Sequence, residues 1–120
     1  MKFLLITQDS DVVSAAQEGF APYECHSYGD WHRALDESEG VDMVFVDLLA
    51  TLEEPNKIAG YEKFAETKMG HPVAGGIPLV LISPPEDYEL DFMAGWPDFV
   101  LANVRRPVTP KIFRRASTWV

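Results

Sequence analysis

The sequence predicts a single α/β domain in three layers, with a parallel sheet wound by helices on both faces. Three observations predict it. Apolar runs of strand length alternate along the chain with segments of helical periodicity. Two of those runs, Met43–Val46 and Ile77–Ile82, read as strands covered on both faces, with no wet side. A carboxylate, Asp47, then stands at the end of the first of them. In open α/β sheets the ligand crevice lies outside the carboxyl ends of the strands, so an acid there reaches a site and not the core. From this stretch alone, capping of the following loop is an equally good role for Asp47.

Taken in order, Lys2–Thr7 (KFLLIT) is the first buried strand. Gln8-Asp9-Ser10-Asp11 offers helix-capping residues, and Val12, Val13, Ala16 and Phe20 recur at helical spacing until Ala21-Pro22. Tyr23–Tyr28 is a second strand, polar enough for a sheet edge. Asp30 caps a helix from Trp31 to about Ser38, with Trp31, Ala34, Leu35 and Ser38 on one side and Gly40 beyond its end. After the Met43–Val46 strand comes an acidic loop, Leu48–Asn56, and then a helix over Gly60–Lys68 with Tyr61, Phe64 and Ala65 on one face. The loop His71–Gly76 leads into the Ile77–Ile82 strand. Glu86–Met93 reads as a fourth helix, Phe99–Val104 as a fifth strand, and Thr109 caps a last helix with Pro110 in its first turn.

Length and composition narrow the function classes. The 120 residues suit one domain, and 47% hydrophobic content is too high for a disordered chain. No apolar run approaches the roughly 18 residues that cross a bilayer, and the first six residues are too short for a signal peptide, so a cytoplasmic protein is expected. The one cysteine, Cys25, allows no internal disulfide and no cysteine-based zinc site. His26, His32 and His71 show no ligand spacing and read as surface or loop residues. Net charge is −9, which argues against nucleic acid as a partner. Residues 1–104 hold all 19 acids and five of the ten bases. The other five bases, Arg105, Arg106, Lys111, Arg114 and Arg115, fall in the last 16 residues with no acid among them.

The residues at the strand ends carry a resemblance. Phe45-Val46-Asp47-Leu48-Leu49 closes the third strand, Ser83 follows the fourth, Arg106-Pro107 leaves the fifth, and Gly60-Tyr61-Glu62 opens the third helix. In these positions the chain resembles the receiver domain of bacterial response regulators along nearly its whole length. The resemblance implies a flavodoxin-like (βα)5 fold with strand order 2-1-3-4-5. It places Asp47 at the phosphoacceptor position, Ser83 at the phosphoryl-contacting hydroxyl, and Arg106 where the family has lysine. Phe99 and Asn103 are both open for the family's switch aromatic.

The departures bear on mechanism. Receivers carry an acidic pair after the first strand that helps to hold Mg²⁺, and here Thr7 and Gln8 stand at that pair, with Asp9 one residue late. Mg²⁺ gains most from carboxylate oxygens, so Asp9 and Asp47 are only weak candidate ligands and no cofactor is expected. Arg106 keeps the lysine's charge, but a planar fork is not a point ammonium. It can sense a phosphoryl group or form a structural ion pair with Asp47 or Asp9. The segment from Asp47 to Gly60 is also longer than the family's.

The pocket expected is therefore Thr7, Gln8, Asp9, Ser83 and Arg106 around Asp47. The function expected is that of an atypical receiver, or pseudo-receiver, that signals by protein contact and catalyses no reaction. Two alternatives stand beside it: a phosphorylatable receiver whose metal is held by Asp9, Asp47 and the Gln8 carbonyl, and a flavodoxin-like small-molecule binder. No glycine-rich phosphate loop follows the first strand, which counts against the last. Lys111, Arg114 and Arg115 lie at i, i+3 and i+4, close together on one side of the last helix. By resemblance that helix belongs to the output and dimer face, so the partner expected is a signalling protein, the rest of a longer chain or a second copy, and not a membrane. Ile112 and Ala116 are expected to face the sheet, with Trp119 lacking evident cover.

Overall fold

A computed structural model describes residues 1–53, 59–84 and 100–119. Five parallel strands form one sheet: β1 Lys2–Ile6, β2 Glu24–Tyr28, β3 Met43–Asp47, β4 Leu79–Ser83 and β5 Val100–Arg105. Their order is β2-β1-β3-β4-β5, as expected. The helices are α1 Ser10–Phe20, α2 Trp31–Asp36, α3 Ala59–Gly70 and α4 Pro110–Ala116, with short 3-10 turns at Leu48–Ala50 and Ala74–Gly76. The helix expected over Glu86–Met93 lies outside the described residues, as does Phe99. Among the described residues no helix is long and apolar enough to cross a membrane.

The central strands divide their side chains between two cores with a period of two. Leu4, Ile6, Val44, Val46, Leu79 and Leu81 face α2 and α3, where Trp31, Leu35, Tyr61 and Phe64 meet them. Phe3, Leu5, Met43, Phe45, Val80 and Ile82 face α1 and α4. Every residue of β3 and of β4 is buried, which is why those two runs carry almost no polar side chain before their last position. The second core centres on aromatic rings: Phe20 stacks on Phe3 at 4.2 Å between centroids and meets Phe113 at 5.3 Å.

Several boundaries move for identifiable reasons. β4 starts at Leu79 and not at Ile77, because Pro78 has no N–H to give a ladder; its carbonyl still accepts from the Val44 amide at 3.0 Å. α2 is shorter than its apolar spacing suggests, and the buried Ser38 hydroxyl closes it by donating to the Leu35 carbonyl at 2.6 Å. Gly40, with φ of 77°, then turns the chain into β3. On α4 the principal core residue is Phe113, buried with Ala116, while Ile112 packs only at the margin. Trp119 is partly buried against the same core, so it has the cover that the sequence did not reveal. Gly60 opens α3 against the backbone of Thr51 and Leu52, too close for any Cβ.

Candidate functional site

The site forms at the carboxyl ends of β1, β3 and β5, with the end of β4 between the last two. Asp47 is the last residue of β3 and is 2% exposed. Its Oδ1 accepts from the Leu49 amide at 3.1 Å, capping the turn that follows. Its Oδ2 accepts from the Thr7 hydroxyl at 2.8 Å and from Nη2 of Arg106. Asp9 divides its oxygens in the same way. Oδ1 caps α1 through the Asp11 amide at 2.9 Å, and Oδ2 accepts from Nη1 of Arg106 at 2.7 Å. One guanidinium thus spans two carboxylates, one at the end of β3 and one at the N-cap of α1, the planar geometry that arginine offers and lysine does not.

The electrostatics follow from this arrangement. The hydrogen bond from Arg106 is the largest cause that holds the Asp9 carboxyl below the ordinary carboxylate value, and the Asp11 amide adds to it. Burial draws the Arg106 pKa down, but the hydrogen bond to Asp9 and the charge and hydrogen bond of Asp47 outweigh it, so the net shift is upward. Thr7 Oγ1 also accepts from the Asp9 amide at 3.1 Å, tying the β1 loop to the β3 end through one hydroxyl. Nε of Arg106 is buried and meets no hydrogen-bond acceptor among the described residues.

An open cleft of about 230 Å³ lies over this cluster, lined by Gln8, Asp9, Asp47, Leu49, Ala50 and Arg106. Thr7 supports it from below. Gln8 reaches away from Asp47, its Nε2 donating to the Gly29 carbonyl at 3.2 Å. Ser83 is placed at the end of β4, and its carbonyl accepts from the Arg106 amide at 2.9 Å. Its buried hydroxyl, however, donates to Oδ1 of Asn103 on β5, and Ser83 is not among the cleft's lining residues. Asn103 was one of two residues open for a different role, and nothing in its neighbours signals that it would hold Ser83. Lys111, Arg114 and Arg115 lie exposed on α4, away from the cleft.

The Mg²⁺ that the receiver resemblance implies does not fit this donor set. Octahedral Mg²⁺ is bound through carboxylates, usually with several retained waters. Here Thr7 and Gln8 replace the expected acids, and the Oδ2 atoms of Asp9 and Asp47 are both occupied by Arg106. No group of three or more His, Cys, Asp or Glu side chains able to hold a metal occurs among the described residues.

No family model and no curated protein matches the chain. Solved structures do. The chemotaxis response regulator CheY4 of Vibrio cholerae superposes with a TM-score of 0.73 at 14% identity, covering 98% of this chain and 96% of that chain. The phosphorylated cyanobacterial phytochrome response regulator RcpA gives 0.70 at 17% identity, covering 98% and 91%. A CheY-like receiver domain protein from Methanospirillum hungatei gives 0.70 at 16% identity, covering 98% and 90%. The chain has the CheY-like α/β fold over almost its whole length.

Proposed function

We propose that this chain is a pseudo-receiver: a cytoplasmic signalling domain that acts through protein–protein contact, without Mg²⁺-dependent phosphorylation of Asp47. The observation that carries the reading is the Arg106 guanidinium between Asp9 and Asp47. In a phosphorylatable site a divalent cation neutralises the acids and the incoming phosphoryl oxygens. Here a side chain of the protein already supplies the positive charge, and Thr7 adds a neutral donor. The charge satisfaction is internal and permanent, which suits a scaffold better than a switch. The fold shared with receiver domains supports a signalling role.

The contact surface in this reading is α4. Lys111, Arg114 and Arg115 are all exposed there on a chain that is otherwise strongly acidic. Such a face steers towards an acidic surface on a signalling protein, on the rest of a longer chain or on a second copy.

The test is a titration with Mg²⁺, followed by beryllofluoride as a phosphoryl mimic, monitored by NMR at the Asp47, Leu49 and Ser83 amides. The expected outcome is almost no shift at low-millimolar Mg²⁺ and none on adding beryllofluoride. Thr7→Asp with Gln8→Asp should create Mg²⁺ binding by restoring two carboxylates. A saturating shift in the unaltered chain would overturn this reading and favour a phosphorylatable receiver with Asp47 as acceptor.

A further inference from the structure

Far from the cleft, the connection between α3 and β4 is closed by an unusual cap. Three aspartates of this chain, Asp9, Asp30 and Asp47, each accept the backbone N–H two residues ahead. His71 does the same work with an imidazole: its Nδ1 accepts from the Val73 amide at 3.1 Å and from the Ala74 amide at 3.0 Å. An atom that accepts two N–H bonds carries no proton, so the ring is neutral with its hydrogen on Nε2. That nitrogen faces Oδ1 of Asp36 on α2 at 3.4 Å. The ring is mostly buried, at 17% side-chain exposure.

We propose that the α3–β4 connection is a pH-sensitive clasp, closed while His71 is neutral and opened when Nδ1 takes up a proton. A protonated Nδ1 has no lone pair and would point a hydrogen at two backbone hydrogens. Histidine is the side chain whose charge ordinarily changes between about pH 5 and 8. Hydrogen bonds hold the capping carboxyls of Asp9 and Asp30 below the ordinary carboxylate value, away from that range.

Other charged groups around the ring bear on the direction. Asp36, from α2, favours the imidazolium and so favours opening. Lys68, on the last turn of α3, has its Nζ donating to the Ile77 carbonyl at 2.6 Å, closing the other end of the same connection. Residues 72–83 contain no ionisable side chain, so neither the connection nor β4 adds another. Opening releases the turn Ala74–Gly76 and the link between α2 and α3, leaving the Asp47 cleft at the opposite end of the sheet intact.

The ring can be read directly in the unaltered protein. At about pH 8, nitrogen shifts of His71 should show an unprotonated Nδ1 and a protonated Nε2; the opposite tautomer would overturn the proposal. On lowering the pH to about 5.5, the Val73 and Ala74 amides should shift together. Their hydrogen-exchange protection, corrected for intrinsic rate, should fall about tenfold, as expected for loss of one to two ordinary hydrogen bonds. His71→Asn keeps an acceptor that does not titrate and should abolish the response, whereas Asp36→Asn should retain it. A response that survives in His71→Asn, or disappears in Asp36→Asn, would assign the sensing to another group and end the proposal.

Discussion

Two basic side chains, one partly and one fully buried, lie at opposite ends of the sheet, and their surroundings push them in opposite directions. Arg106, beyond the carboxyl end of β5, lies between two carboxylates, and their combined effect on its pKa exceeds that of burial. Lys68, beside the amino end of β4, is fully buried with a backbone carbonyl at its amine, and burial lowers its pKa from 10.5 to about 8. Burying a base does not decide its charge. The balance is local: at Arg106 the two carboxylates outweigh desolvation, whereas at Lys68 desolvation prevails.

The sharpest way to break this comparison is to remove one base. Arg106→Ala leaves the buried carboxylate of Asp47 without its counter-charge, a loss of about 3–5 kcal/mol for a pair of this kind. Arg105 is exposed, with Nη1 on the Pro84 carbonyl, and its alanine variant should cost much less. Urea denaturation of both variants measures the difference. Equal losses would mean that Arg106 does not bind the carboxylates in solution.

Lys68 predicts a pH effect of the next size. Its amine is protonated in the unfolded chain up to about 10.5 but in the folded chain only up to about 8. Between those values the unfolded state binds more protons, so the contribution of Lys68 to stability rises with pH, by on the order of 3 kcal/mol in all. Below about pH 8 the whole contribution is lost. Cys25 works with the opposite sign above pH 9, because burial raises its thiol from 9.0 to about 11 and the unfolded chain gives up that proton first. The Lys68 effect is therefore read as the difference in unfolding free energy between the unaltered protein and Lys68→Met across pH 7.5–10.5. A constant difference would remove Lys68 from the comparison.

A smaller change tests whether Arg106 acts alone at its end of the sheet. Thr7→Val keeps the shape but removes the hydroxyl shared by Asp47 and the Asp9 amide, and should cost about 1–3 kcal/mol in urea unfolding. No loss would mean that Arg106 satisfies Asp47 by itself.

The smallest effect on stability is expected where the bases are solvated. Reversing Lys111, Arg114 and Arg115 to glutamate should change unfolding by no more than about 0.5 kcal/mol for each site. It should nevertheless abolish association with an acidic partner or with a second copy, measured by sedimentation in low and moderate salt. Association that survives the reversal and ignores salt would move the contact surface off α4.

By itself the sequence determined the layers of this protein. Strand and helix periodicity are local properties, so β1 to β5 and the four described helices stand within one to three residues of where the apolar pattern puts them. Asp30 and Thr109 were legible as caps, and the α1 cap was narrowed to Gln8–Asp11, because a cap needs only the residues that follow it. Asp47 at the mouth of the sheet was legible for a related reason, since a strand end leads to the crevice. Tertiary structure alone decided the rest. Sequence reading left Arg106 two roles and Asp47 two; the fold brings Arg106 across 59 positions to Asp47 and 97 to Asp9, and each acid both caps a turn and binds the base. Ser83 turned to Asn103, Phe113 became the anchor of α4, and His71 became a cap, each through a partner or packing surface that no local pattern encodes. Periodicity records which face of an element is covered, whereas the destination of a hydrogen bond depends on which strand ends the fold sets side by side.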